Sequence, residues 1–337
     1  MSQTMLAGRM NFAAKSFEVT KVPVPEPGPG EVRVKVRAAG VCLSDLHLIQ
    51  GLFKPGLLQG DEVTLGHEVA GEVDVLGEGV TAIAPGARVI VVAGKQLGEE
   101  TWTMGVDYDG GWAEYVVAPA TGLVPIPDGL PFEQAAIIPD AVSTPWAAIE
   151  WTGKVKQGES VGVWGIGGLG AHGVQLLRFA GAAPIIGIDP LPAARDRALE
   201  FGADLVLDPA DPDFAVRMAK ATLGAGLNVA FDFAGYPPAR TQALDSLGLD
   251  GRLLLVGLSG GPITVQNDSH YQYMRKQILG HYGSQDRHIG QLVRLVELGR
   301  LDFARSISGT FGLAQAGEAL EQLESKEGNP IRLVLIP

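Results

Sequence analysis

The chain has 337 residues, 46% hydrophobic and 19% charged, which is enough for two ordinary domains with real cores. A net charge of −12 with scattered basic residues argues against a nucleic-acid or anionic-membrane surface. No apolar run approaches the ~20 residues that span a bilayer, and the stretch from Met1 to Phe12 lacks the apolar core of a secretory signal. The single cysteine excludes a disulfide framework within the chain and suits a reducing compartment, so a cytoplasmic protein is expected.

Taken in chain order, the first ~140 residues read as strands and turns. Val32, Val34 and Val36 alternate with Arg33, Lys35 and Arg37, giving one buried and one wet face. Val69, Val73 and Val75, then Val89 to Val92, continue this pattern between Gly- and Pro-rich connections. An irregular all-β unit is expected. From Ser160 the rhythm becomes strand, helix, strand. Candidate strands are Val161–Trp164, Ile185–Ile188, Leu205–Leu207, Val229–Phe233, Arg252–Val256 and Gln277–Tyr282, with helical patterns between most of them. That alternation indicates a doubly wound parallel sheet. Beyond Gly283, Ile289, Leu292, Val293 and Val296 form one helical apolar face, and Ala316, Ala319, Leu320 and Leu323 form another. A last strand, Ile331–Ile336, is expected to return to the first domain. The reading is therefore a discontinuous β-rich domain, 1–142 with 284–337, interrupted by a nucleotide-binding domain over 143–283.

Two stretches carry chemistry. Gly40-Val41-Cys42-Leu43-Ser44-Asp45-Leu46-His47 and Gly66-His67-Glu68 bring a thiolate, an imidazole and carboxylates, a set of zinc type and softer than magnesium or calcium would select. Read alone, Cys42 is either a free core thiol or a thiolate with a chemical task. Farther on, Gly165, Gly167 and Gly170 fit G-x-G-x-x-G directly after a strand and at the start of a helix, where unpaired N–H groups face a pyrophosphate. Asp189 ends the next strand, 19 residues past Gly170, where its carboxylate can accept from adenosine ribose hydroxyls and repel a 2′-phosphate. NAD(H) is thus favoured over NADP(H). A soft metal site and a nicotinamide site in one chain suggest metal-assisted hydride transfer.

Together with Gly110 to Tyr115, Asp140 to Thr144 and Ile331-Arg332, these stretches resemble the zinc-dependent alcohol dehydrogenases of the medium-chain dehydrogenase/reductase superfamily. The resemblance implies an α/β chain: a GroES-like β-rich catalytic domain plus a Rossmann doubly wound parallel-sheet domain. It makes Cys42 and His67 catalytic zinc ligands, with Asp140 where the family commonly has a cysteine and Glu68 as the nearby carboxylate that can enter the shell. Asp45 resembles the carboxylate that orients the zinc-bound imidazole, and Ser44 and His47 look like the proton relay. Thr144 would lie against the nicotinamide. Gly168, Leu169, Val256 and Leu258 would contact the cofactor, and Arg332 its pyrophosphate, while Ala93 and Leu258 would line the substrate pocket. The other histidines, His172, His270, His281 and His288, match no family role and read as surface or packing residues.

Two departures stand out. Ala93 to Asp109 is short and has no cysteine, so a structural zinc is not expected and one zinc per chain is the ceiling. Leu43 stands where the family often has a basic residue facing the cofactor phosphates. The implied activity is hydride transfer between an alcohol, aldehyde or ketone and the nicotinamide, in a homodimer or homotetramer. The rivals are a zinc-free reductase of the same superfamily, acting on quinones or activated alkenes, and a non-catalytic NAD(H)-sensing protein.

Overall fold

In a computed structural model that describes residues 3–337, the chain divides into two units, one running to Ala141 and resuming at Gln285, the other Val142–Ser284. Met1 and Ser2, the start of the segment read against a signal sequence, lie outside the described residues.

The first unit opens with the hairpin β1 (Thr4–Asn11) and β2 (Ser16–Pro23), then β3 (Glu31–Val41). Val32, Val34 and Val36 are buried along β3, as their alternation requires. Helix α1 (Leu43–Ile49) follows at once. An all-β reading did not anticipate it, yet its signal is local: Asp45, at the third helical position, accepts from the Cys42 backbone N–H at 2.9 Å. Next come β4 (Glu62–Thr64), β5 (Val69–Leu76), β6 (Arg88–Val91), the hairpin β7 (Gly94–Leu97) and β8 (Glu100–Thr103), then β9 (Tyr115–Pro119) and β10 (Leu123–Pro125). Helix α2 (Phe132–Ala136) leads into a π-helical turn, Ile138–Val142.

The second unit opens with α3 (Ser143–Ala147) and then alternates: β11 (Val161–Trp164), α4 (Gly168–Ala180), β12 (Ile185–Ile188), α5 (Pro192–Glu200), β13 (Leu205–Leu207), α6 (Phe214–Ala221), β14 (Leu227–Asp232), α7 (Pro237–Asp245), β15 (Leu247–Leu255), α8 (Asp268–Tyr273) and β16 (Gln277–Gly280). The sheet is wholly parallel in the order β13-β12-β11-β14-β15-β16. Strands β11 and β12 are buried at every residue, which explains their unbroken apolar runs. Strand β15 starts five residues before its expected limit, because Leu247 pairs with Leu227 ahead of a register shift.

Back in the first unit lie α9 (Asp286–Glu297), β17 (Ile307–Gly312), α10 (Ala316–Ser325) and β18 (Arg332–Ile336). Strand β17, interrupted by glycine, escaped the sequence reading; it pairs parallel with β18. The central sheet runs β10-β6-β5-β3-β18-β17, with β9 also on β3. The main core of this unit includes Val34, Leu48, Trp112, Leu320 and Leu335, with a smaller cluster at Met5, Ala7 and Ala113. Among the described residues no helix is long and apolar enough to cross a membrane.

Candidate metal centre and cofactor loop

Sheet register assembles the metal-capable residues. Strand β3 pairs Ala39 with Val69 of β5 and Val41 with Leu333 of β18. Cys42, one residue past β3, therefore meets His67 and Glu68 just before β5 and Arg332 at the head of β18. Asp140 joins them from the π-helical turn, a feature often found where a helix is bent for function. Among the described residues, Cys42, His67, Glu68 and Asp140 form the one such group, each offering a ligand atom, all within 4.8 Å of one another. Gly40 makes room for it: a Cβ there would overlap the Glu68 carboxylate.

The geometry suits a tetrahedral ion. Donors about 2.0–2.3 Å from a tetrahedral centre stand about 3.3–3.7 Å apart. His67 Nε2 is 3.5 Å from Asp140 Oδ2, and Cys42 Sγ is 3.6 Å from the same oxygen. The donor set of sulfur, nitrogen and oxygen fits zinc. Glu68 Oε2 is buried with no hydrogen-bond partner, a costly state that a cation would relieve. Asp45 completes the arrangement: with Oδ2 on the Cys42 N–H, its Oδ1 stands 3.4 Å from His67 Nδ1, which favours a proton there and makes Nε2 the nitrogen that would give its lone pair to a cation.

The same crowding sets the titrations. Burial, joined by the like charge of Asp140, pushes the Glu68 carboxyl up to about 8 against the pull of Arg332 and His67. A metal cation would act in the sense of Arg332 and favour the carboxylate. Burial pulls His67 down, but Asp45 together with hydrogen bonds to Asp140, Asp45 and Cys42 more than reverses this and holds it well above its ordinary value. Burial likewise opposes the Arg332 charge, while Glu68, Cys42 and Asp140 hold it firmly protonated.

Ser44 and His47 stand one turn apart on α1. Ser44 Oγ is 3.4 Å from His67 Nε2, and the half-buried His47 is shifted below its ordinary value by desolvation. Arg332, read from sequence as a pyrophosphate contact, is placed on the metal cluster: 2.7 Å from Glu68 Oε1, 3.5 Å from Asp140 Oδ2 and 3.8 Å from Cys42 Sγ. Sequence spacing carried no signal for this pairing, which spans 264 positions. The imidazoles read as surface or packing groups divide: His172 and His288 are buried and His270 is exposed. His281 donates from Nε2 to the Thr144 carbonyl at 3.1 Å and accepts at Nδ1 from Thr152 Oγ1 at 2.8 Å.

In the second unit, Gly165 turns with φ +86°, and a Cβ on Gly170 would overlap the Gly165 carbonyl, so helix α4 closes onto the strand. Gly167, by contrast, faces open space, the cradle a pyrophosphate needs. Gly168 and Leu169 begin α4. Asp189 accepts from Ile166 N at 2.8 Å and from Leu191 N at 2.9 Å, which fixes its carboxylate beside the loop. Two cations stand near it: Arg195 is committed to the Asp189 and Pro190 carbonyls and to Asp208, and the buried Arg197, which feels the Asp189 charge, donates to the Ile166 carbonyl. Thr144 and Val256 are buried, while Leu258 is half exposed.

A soft-metal cluster on one unit and a dinucleotide-type sheet and loop on the other define a metal-dependent dehydrogenase. The comparisons with known proteins agree. Residues 28–128 match the alcohol dehydrogenase GroES-like domain and residues 168–297 the zinc-binding dehydrogenase domain. The chain is 32% identical to the L-threonine 3-dehydrogenase of Pyrococcus horikoshii, over 99% of this chain and 100% of that protein. Among solved structures, the alcohol dehydrogenase of Aeropyrum pernix superposes with a TM-score of 0.88 at 29% identity, covering 98% of this chain and 100% of that one. A zinc-binding dehydrogenase of Sinorhizobium meliloti, solved with NADP, gives 0.89 at 27% identity over the whole of both chains. The chain belongs to the zinc-dependent alcohol dehydrogenase family of the medium-chain dehydrogenase/reductase superfamily. It is a zinc-dependent oxidoreductase of CH–OH groups with a nicotinamide cofactor and a small-molecule substrate.

Proposed function

We propose that the chain interconverts an alcohol and its carbonyl compound with NAD(H) in preference to NADP(H), using one zinc per chain held by Cys42, His67 and Asp140, with Glu68 able to enter the shell. The observation that carries this reading is the convergence of four ligand atoms within 4.8 Å in a buried setting, in a chain with one cysteine and therefore no four-cysteine site. When bound, zinc supplies a Lewis acid for the substrate oxygen. The chain's own residues do the rest. Asp45 holds the His67 ring so that Nε2 stays a lone-pair donor. In oxidation Ser44 receives the alcohol proton and His47 carries it on towards solvent; in reduction the path runs backward. The glycine loop accepts the pyrophosphate at the head of α4, and Asp189 accepts from the ribose hydroxyls. Asp189 presents a like charge to a 2′-phosphate, and its neighbours Arg195 and Arg197 are already engaged, by Asp208 and by the Ile166 carbonyl, which supports NAD. The expected setting is a cytoplasmic homodimer or homotetramer.

The test is a screen of primary and secondary alcohols and their carbonyl products, followed by NADH absorbance, before and after chelation. NAD-linked turnover that is lost on chelation and restored by zinc is expected. Turnover indifferent to metal removal, or none with any alcohol or carbonyl, overturns the proposal.

A further inference from the structure

The second unit buries an ion pair that neither the metal centre nor the glycine loop uses directly. Asp232, the last residue of β14, is fully buried, and its Oδ2 lies 2.6 Å from Nε of the buried Arg240 on α7. Such a pair offers little net stability over an apolar one, so its hydrogen bonds are the better guide to its role. Asp232 Oδ1 accepts from Ala234 N at 3.0 Å and from Gly235 N at 2.9 Å, the loop that leaves β14. Arg240 Nη2 donates to the Gly257 carbonyl at 2.8 Å, the loop that leaves β15. The Asp232 backbone carbonyl accepts from Val256 N at 3.0 Å and Gly257 N at 2.8 Å, tying the same two loops again.

These loops are interlocked. A Cβ on Gly235 would overlap the Leu258 carbonyl, and one on Gly257 would overlap the Gly235 amide. The first of them also reaches the glycine loop, since a Cβ on Gly165 would lie 2.9 Å from Ala234 N. The strand order turns between β11 and β14, and ligands of doubly wound sheets bind outside the carboxyl ends of the strands at that turning point. The glycine loop and the post-β14 loop leave the two strands at that point, and the post-β15 loop leaves the strand next to them.

We propose that Asp232 and Arg240 are positioning residues for the cofactor, setting the post-β14 and post-β15 loops against the glycine loop so that the crevice is preformed for NAD(H). This rests on the nicotinamide reading above. Neither residue needs to touch the cofactor.

The experiment measures NADH affinity by fluorescence titration, zinc content, thermal midpoint and steady-state kinetics for wild type, Arg240→Lys and the neutral double variant Asp232→Asn with Arg240→Gln. Arg240→Lys keeps the charge but loses the planar fork that reaches both Asp232 and Gly257. It should raise the NADH Kd and the NAD KM about tenfold, less than the ~10²-fold that a displaced reacting group can cost. Zinc content and the alcohol KM at saturating NAD should stay within twofold of wild type. The double variant, with no buried charge to leave unpaired, should fold and recover part of the affinity. In wild type, NADH should slow hydrogen exchange in 232–240 and 256–258, a readout that needs no variant. A folded Arg240→Lys protein with wild-type NADH affinity, or exchange in those segments indifferent to NADH, overturns the proposal. Failure of wild type to bind NADH would instead overturn the nicotinamide reading.

Discussion

The metal cluster and the glycine loop are built in opposite ways. The loop is local: six consecutive residues, running from the end of β11 into the first turn of α4, carry the turn, the open cradle at Gly167 and the close approach at Gly170. The cluster is assembled from four separate stretches, and only the registers of β3 with β5 and β18 bring Cys42, Glu68 and Arg332 together. One depends on backbone conformation and has few charges. The other concentrates buried titratable groups, including a carboxylate oxygen with no partner. A local site should fail by losing its shape, and an assembled one by losing its charge balance.

That contrast can be broken most forcefully at Cys42. Cys42→Ser should lower NAD-linked turnover by more than the ~10²-fold at the top of the range for a residue that merely supports a ligand. Zinc content should fall towards zero, while NADH affinity stays near wild type. The reverse experiment is Gly170→Ala. Its new Cβ meets the Gly165 carbonyl, so the loop must shift; NADH binding should weaken by about tenfold or more, roughly 1.4 kcal/mol per tenfold, with zinc content retained. If either substitution removed both zinc and NADH in a folded protein, the two sites would not be independent.

The relay on α1 sharpens the comparison within the first unit. His47→Gln should slow alcohol oxidation about 10²-fold, the lower end for a general base because water can partly replace a group at the solvent end. Its pH profile has a definite sign. Desolvation lowers the His47 pKa below 6.5, so the proton-accepting neutral form persists through neutrality and the wild-type rate should fall only below that value. In His47→Gln, followed by kcat/KM against pH where chemistry is rate-limiting, this fall should vanish and the remaining rate should rise with hydroxide. The smallest effect is expected at Asp189. Asp189→Gly should narrow the NAD preference about tenfold by removing a like charge from the 2′-phosphate, about 1.4 kcal/mol; a wild type that prefers NADP in the same assay would contradict the ribose reading.

How much of this was legible in the sequence follows the same division. The strands of the parallel sheet were readable because Val161–Trp164 and Ile185–Ile188 are buried on both faces and so appear as unbroken apolar runs. The Gly165 to Gly170 loop was readable because its parts are contiguous. Helix α1 was missed because seven residues, with only Leu46 and Leu48 as buried apolar positions, are too few to show a period, and only the Asp45 cap marks it. Strand β17 was missed because Gly309 and Gly312 break its pattern. At the metal site, residue types and the family resemblance suggested Cys42, His67, Glu68 and Asp140, but nothing local marked Arg332 as their neighbour. That contact is a consequence of strand pairing across 264 positions.

The most direct test of the central claim is zinc-edge X-ray absorption on the purified protein, with elemental analysis on the same sample. One zinc per chain is predicted, with a single sulfur at about 2.3 Å and nitrogen or oxygen donors at about 2.0–2.2 Å filling the shell, as one thiolate, one imidazole and carboxylate oxygen require. Two zinc ions per chain, a shell without sulfur, or full NAD-linked turnover in a sample without zinc would contradict it.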